Sequence, residues 1–530
     1  MKRIIALVLC LCLTLGVACT ALADQTLTVF RTNEPATIDR VGTTIDEAGK
    51  FILFDASEPL FRINNGVVEA SGCESYTYDE ATMTYTFKLR ENYWEDGVKV
   101  TAADYLYSFQ RMVDPANAYG YISDLYCIVN AEAIYTGEKE ISELGVTAPD
   151  EDTLVIQMNE SNPAFLAVAP MYPQRQDFVE ACGDSYGTDA DKFISCGPFK
   201  LTAWEHNSYA TLEKNPLYWD AENVQLETVT VLFSNDSNAL YSAMLNGTLD
   251  YFETRDPDYI AAFEADSNFA VSDRVTAALV FVLFNCEDEL LQNTKIRQAL
   301  SLAIDRELFV DMMYSGLYTP AYSISSPAVT INGVSLRDFT TEPLKDFAES
   351  GVDPKQLFIE GLEELGLDPD PSKITLTFSI SSSTTADDTI ALYQAMWGET
   401  LGVNVEANIS QWATFWSDCK AGDFQIGTLA WSNEVDMSFL YNLFLSNNAQ
   451  MPCFYYTEEY DEIVNKANSS MDDNERLSLY AQAEKLITVD YASIAPLCYQ
   501  VQKAVLRSNV KGWDYNVFST MGHKNVYIEE

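Results

Sequence analysis

The sequence predicts an α/β fold of several domains, and three observations carry the prediction. The chain has 530 residues, more than the roughly 100–200 of one domain. Hydrophobic residues make up 47% and aromatics 12%, enough to fill several cores. Between residues 374 and 430, strand-like and helix-like segments alternate as β-α-β-α-β, the pattern of a sheet with parallel pairing.

The elements follow in chain order. "MKR", the apolar run "IIALVLCLCLTLGVA" and "ALAD" read as a secretory signal peptide over residues 1–23, cleaved after Ala23. Cys19, after "GVA", is a competing lipidation site; Gly16 stands where such motifs prefer Leu, and both outcomes stay open. No later run reaches the 18 apolar residues of a membrane span. "YTFKLR" (85–90) alternates as a strand does. "TAADYLYSFQRMVDP" (101–115) follows as a helix, with Thr101 at its N-cap, Asp104 at N3 and Asp114-Pro115 as its stop. "NTKIRQALSLAIDRELFVDMM" carries a helical stripe through Ile296, Ala299, Leu300, Ala303 and Ile304, read as core packing. "ITLTFSI", "ADDTIALYQAMWGETLG", "VNVEANI", "SQWATFWSDCKAG" and "FQIGTLAW" then supply the alternating unit. The segment 431–436 follows its last strand, and in such sheets ligands sit beyond the carboxyl ends of strands.

Charge and composition exclude several function classes. The formal net charge is −47, and loss of Lys2 and Arg3 with the leader lowers it to −49. Acid on this scale opposes binding to nucleic acid or to anionic lipid. Only His206 and His523 are histidines, and HExxH, Walker and GxGxxG motifs are absent. Histidine-based catalysis, histidine-rich metal sites and phosphate cradles are therefore unsupported. Among 79 acidic residues, chance carboxylate pairs are expected, so a hydrolase reading is weak. "DPDP" (368–371) lacks the ligand count and glycine of a calcium loop and reads as a turn. Eight of 11 cysteines lie beyond the leader, none in a CxxC. Four disulfides and eight buried thiols are both compatible with their spacing.

Several blocks together resemble the extracytoplasmic solute-binding proteins of peptide ABC transporters, the oligopeptide-binding family (solute-binding protein family 5). They are "SEPLFRINNG" (57–66), "YTFKLRENYWEDGVKVTAADYLYSFQRMVDP" (85–115), "SCGPFKLTAWE" (195–205), "LEKNPLYWD" (212–220), "LNGTLD" (245–250), "IRQALSLAIDRE" (296–307), "LAWSNEVDMSFL" (429–440) and "ERLSLYAQAEKLI" (475–487). The resemblance implies a two-lobed periplasmic-binding-protein fold, class II and Venus-flytrap-like, with an additional inserted domain and mixed sheets. It implies domain I over 24–57, 190–280 and 501–530, domain II over 58–189 and domain III over 281–500. Crossover strands are expected near "FVLFN" (281–285) and "CYQVQKAV" (498–505). Asp96-Gly97 is read as a tight turn and Gly197-Pro198 as a rigid crossing into domain I, both shaping the fold.

The resemblance also implies a role for "AWSNEVD" (430–436). A buried ligand ammonium needs a carboxylate partner. In the family this is an Asp three residues after the Trp; here that position is Glu434, with Trp431 as the pocket wall and Asp436 as an alternative anchor. Asn433, Tyr121 and Asn448 join the candidate ligand-binding set. The facing strand is expected in "GTTIDEA" (42–48), with Thr44, Ile45 and Asp46 as candidates. Basic residues that meet a short peptide's carboxyl end in the family are replaced by Thr428 and Cys419.

The function expected is a non-enzymatic, monomeric binding protein without cofactor, exported to the periplasm or the outer face of the cytoplasmic membrane. It captures oligopeptides between lobes and delivers them to ABC permease subunits. The alternatives are an oligosaccharide binder, for which Trp412, Trp416 and Trp431 offer stacking surfaces, and a peptide-pheromone receptor. Two histidines argue against nickel.

Overall fold

The computed structural model describes residues 25–41, 47–169, 171–448 and 450–529. The expected signal peptide, Cys19, Thr44, Ile45 and Asp46 lie outside the described residues. The chain forms two lobes. In the first, one sheet takes the order β1 (Thr26–Arg31), β10 (Thr228–Phe233), β9 (Tyr209–Lys214), β8 (Phe199–Glu205). A second sheet in the same lobe takes the order β4 (Cys73–Asp79), β5 (Thr84–Leu89), β7 (Thr153–Gln157), β6 (Val146–Asp150), beside the hairpin of β2 (Phe61–Asn64) and β3 (Val67–Ala70). Each of these sheets has its own apolar core.

The second lobe is built on a mixed sheet in the order β11 (Tyr251–Thr254), β19 (Ile494–Arg507), β12 (Phe269–Phe284), β18 (Ile426–Ser432), β16 (Thr375–Ser381), β17 (Asn404–Ser410), with β13 (Thr319–Pro320) against β19. Cores pack on both of its faces. A small hairpin, β14 (Thr330–Ile331) and β15 (Val334–Ser335), lies off this sheet.

Local physics explains the helices. In α1 (Ala102–Val113), the Asp104 carboxylate accepts the Thr101 backbone N–H at 2.7 Å, closing the expected capping box. The stripe at 296–304 breaks into α2 (Thr294–Leu302) and α3 (Arg306–Tyr314). The break arises at Asp305, whose carboxylate accepts the Leu308 N–H at 3.0 Å and starts a new helix. The β-α-β-α-β unit forms as read, through α4 (Ala386–Thr400) and α5 (Trp412–Ala421), and β16 pairs in parallel with both β17 and β18.

Two strands, β12 and β19, run through both lobes. Ala504, Val505 and Leu506 belong to a first-lobe core, whereas Leu279 to Phe284 and Ile494 to Tyr499 pack in the second lobe. Their register shifts between Val275 and Leu279, opposite Val501 and Tyr499. The irregularity thus begins ahead of the expected 281–285 and reaches it with a second shift between Val280 and Phe281, while the side chains of 281–284 are committed to the second lobe's cores. On β19 it falls within the expected 498–505.

Several blocks that carry the resemblance meet in one buried hub. Glu58 of "SEPLF" accepts from Trp219 Nε1 at 2.8 Å and Tyr218 Oη at 3.1 Å, both in "NPLYW", and pairs with Arg62 at 2.7 Å. Gly197 sits where an added Cβ would lie 2.5 Å from the Asp55 carbonyl oxygen, so glycine is required there. Gly97 has φ +87, and Asp96 accepts the Val98 N–H at 3.1 Å, a turn as read. All eight described cysteines are free thiols, so the disulfide alternative is not realised. Among the described residues no helix is long and apolar enough to cross a membrane.

Candidate ligand-binding site

The site begins with an unpaired strand edge. After Ser379↔Gly427, β16 no longer pairs β18, whereas β12 continues beside β18 as far as Ser432. The Asn433 N–H donates to the Ala277 carbonyl at 3.0 Å. In an antiparallel ladder bonded pairs alternate, so Trp431 and Leu429 bond toward β12. The backbone N–H and C=O groups of Ala430 and Ser432 point to the opposite, open edge.

The side chains at the end of this edge divide by environment. Trp431 is half-buried against a core of the second lobe, and its ring lies 6.2 Å from that of Trp416. Trp416 stacks on the exposed Trp412 at 5.9 Å, 4° from parallel. Asn433 is buried; its Oδ1 accepts the Glu434 N–H at 2.9 Å, and its Nδ2 has no hydrogen-bond partner. Glu434 is exposed on the loop.

Asp436, expected as an alternative anchor, already has a partner. It is buried, and both carboxylate oxygens accept from Arg476 Nη2, at 2.9 and 2.8 Å. Burial works against the Arg476 charge, and the facing Asp436 outweighs it, holding the guanidinium above its ordinary range. Asn448 is held in a local turn and is not drawn to Glu434: its Nδ2 donates to the Asn442 carbonyl at 2.9 Å and its Oδ1 accepts from Gln450 at 2.9 Å.

Across the cleft, the first lobe brings Tyr121 and a residue that sequence reasoning missed, Asp124. The Tyr121 ring is 41% exposed, 6.1 Å from the Tyr119 ring, with Arg40 and Lys50 over its face at 6.0 and 5.9 Å. Burial, and then the Glu434 carboxylate, push the Asp124 carboxyl up to about 6, with Arg40 pulling against them. An acid from each lobe therefore faces the same space. No periodicity or motif links residues 124 and 434; only the tertiary fold does. Thr428 and Cys419 present no cation: Thr428 Oγ1 donates to the Phe281 carbonyl at 3.2 Å, and Cys419 is core, its thiol pushed up to about 12 by burial. Among the described residues no group of three or more His, Cys, Asp or Glu side chains could hold a metal ion.

A family model, bacterial extracellular solute-binding proteins, family 5 middle region, matches residues 68–451. The chain belongs to this family. Among family 5 solute-binding proteins it is similar to the dipeptide-binding protein DppE of Bacillus subtilis (strain 168), 30% identical over 481 residues, 86% of this chain and 84% of that protein. It is also similar to the oligopeptide-binding protein OppA of the same organism, 28% identical over 504 residues, 92% of this chain and 90% of that protein. Among solved structures, MppA, a periplasmic murein tripeptide binding protein in its unliganded open form, matches with TM-score 0.83 at 24% identity, covering 96% of this chain and 98% of that one. A second structure, the Escherichia coli murein tripeptide binding protein MppA, matches with TM-score 0.64.

Proposed function

We propose that the protein captures extended peptides between its lobes outside the cytoplasm and hands them to an ABC transporter permease, without altering them chemically. The observation that carries this reading is the open edge of β18 at Ala430 and Ser432, which ends at Glu434. A peptide added there gains main-chain hydrogen bonds whatever its side chains are. Its α-ammonium then lies next to the Glu434 carboxylate, and the unpaired Nδ2 of Asn433 is a donor for a ligand carbonyl. The relatives named oligopeptide- and dipeptide-binding proteins support the same reading. Residues 1–23 act as the export signal in this account, with cleavage after Ala23 or acylation at Cys19 as its two endings. Thr44, Ile45 and Asp46 supply the opposite side of the peptide, and the chain works as a monomer. The separation of the three-part domain I, domain II and domain III follows the boundaries read from the sequence.

Glu434→Gln tests the anchor. It keeps size and removes charge. Removing one partner of a buried hydrogen-bonded pair costs about 2–5 kcal/mol, or roughly 30-fold to a few thousand-fold in affinity. Titration calorimetry with a free and an N-acetylated peptide should show acetylation weakening the wild type strongly and the Gln variant little. Equal binding of free and acetylated peptide by the wild type would remove the anchor from the reading.

A further inference from the structure

One cavity lies away from the strand edge. It has a volume of about 370 Å³ and lies between the lobes beside the 433–436 loop. Val435 and Asp436 line it; Trp431, Asn433 and Glu434 do not. The first lobe contributes Phe61, Tyr76, Tyr78 and Leu166, and the second contributes Asp436 and Arg476. One wall is therefore aromatic, with the Phe61 and Tyr76 rings 5.3 Å apart and edge to face. The other wall is polar. There Arg476 is 2% exposed, its Nη2 is taken by Asp436, and its Nε–H is buried without an acceptor.

We infer that this cavity is a second ligand site, separate from the peptide edge, for one small, flat molecule that is not an anion and carries a hydrogen-bond acceptor. Size sets the first limit. Small-molecule sites run from about 300 to 1,000 Å³, so this cavity holds one such molecule and not an extended oligopeptide. Charge sets the second. Asp436 already neutralises Arg476, so an anion finds no free countercharge and meets Asp473, which also lines the space. The apolar, tyrosine-rich wall favours a flat ring system, whose faces and edges match aromatic side chains. The unmet Nε–H asks for an acceptor, because a buried donor without a partner is costly. The inference does not depend on what the strand edge binds.

Prodan, 6-propionyl-2-(dimethylamino)naphthalene, is a suitable probe: flat, neutral, with one ketone acceptor and emission that shifts blue in an apolar site. Titrated into the purified mature chain, it should saturate at one molecule per chain with blue-shifted emission. Ala167→Trp fills the cavity from its lining and should weaken the probe at least tenfold while peptide binding changes less than threefold. If that variant does not fold, Ala70→Trp, from an exposed lining position, replaces it. Arg476→Lys keeps the charge opposite Asp436 and removes the Nε–H; one lost hydrogen bond should weaken the probe roughly 2- to 10-fold. Glu434→Gln should leave the probe within twofold. Absence of saturable binding, indifference to the cavity-filling variant, or loss of the probe in Glu434→Gln would each overturn the second site. Peptide calorimetry on the same samples reads the strand-edge function separately.

Discussion

At Asp124, burial and the Glu434 carboxylate push the carboxyl up to about 6, and Arg40 opposes them. An unfolded Asp titrates near 3.9, so the folded chain binds more protons between these values. Its stability therefore falls as pH rises through this window, and the cost is fully present above about 6. A ligand ammonium between the two acids reverses the sign, because it favours the charged form. Binding should then release a proton near pH 6, and affinity should be about tenfold weaker at pH 5 than at pH 7. Calorimetry in two buffers of different ionisation enthalpy measures the proton, and Asp124→Asn should abolish its release. No proton release in the wild type would place the ammonium away from Asp124. The Asp124–Glu434 relation was not legible in the sequence, since an electrostatic contact over 310 positions leaves no local pattern. Glu434 was picked out through the family resemblance, as the acid three residues after a Trp at a strand end. The partner of Asp436, Arg476, was not legible: it lies 40 positions away on the helix Asp473–Lys485.

At the scale of the element, the alternating unit at 374–430 was legible because each strand and helix is bounded by turn chemistry and keeps one hydrophobic period. The pairing of β18 was not, since a strand's neighbours depend on where β12 crosses. That pairing makes Ala430 the useful position. Its N–H points to the open edge, so the β12 ladder does not use it, and proline is tolerated at such edges. Ala430→Pro should leave the melting temperature within a few degrees while removing a donor that an added peptide strand needs. The loss of one hydrogen bond, about 0.5–1.5 kcal/mol, predicts roughly 2- to 13-fold weaker binding, and ring bulk at the edge adds to it. Calorimetry and a thermal melt on the same sample check both halves. A variant that melts normally and binds peptide as tightly as wild type would show that the ligand does not use this edge.

For the whole molecule, the question is what moves. Two strands join the lobes, and their register breaks at 275–279, where the ladder is interrupted and bending is cheapest. The lobes already touch off the strands. Thr330 Oγ1 donates to the Gly66 carbonyl at 3.0 Å, and Ser161 Oγ donates to the Ser469 carbonyl at 3.0 Å. The acids at 124 and 434 repel across the gap, which favours the open arrangement until a cation bridges them. A ligand shifts such an equilibrium only by its differential affinity for the closed state. Peptide bound to β18 alone would give none, whereas peptide that also meets Asp124 and Tyr121 gives some. Small-angle scattering on the chain freed of co-purified ligand should therefore show a radius of gyration that falls on adding peptide. In Asp124→Asn the fall should be reached at higher peptide concentration, because one of the contacts that distinguishes closed from open is gone. A radius unchanged at saturating peptide in the wild type would mean that the lobes do not close on the ligand, and the two acids would then have to be explained as members of a rigid site.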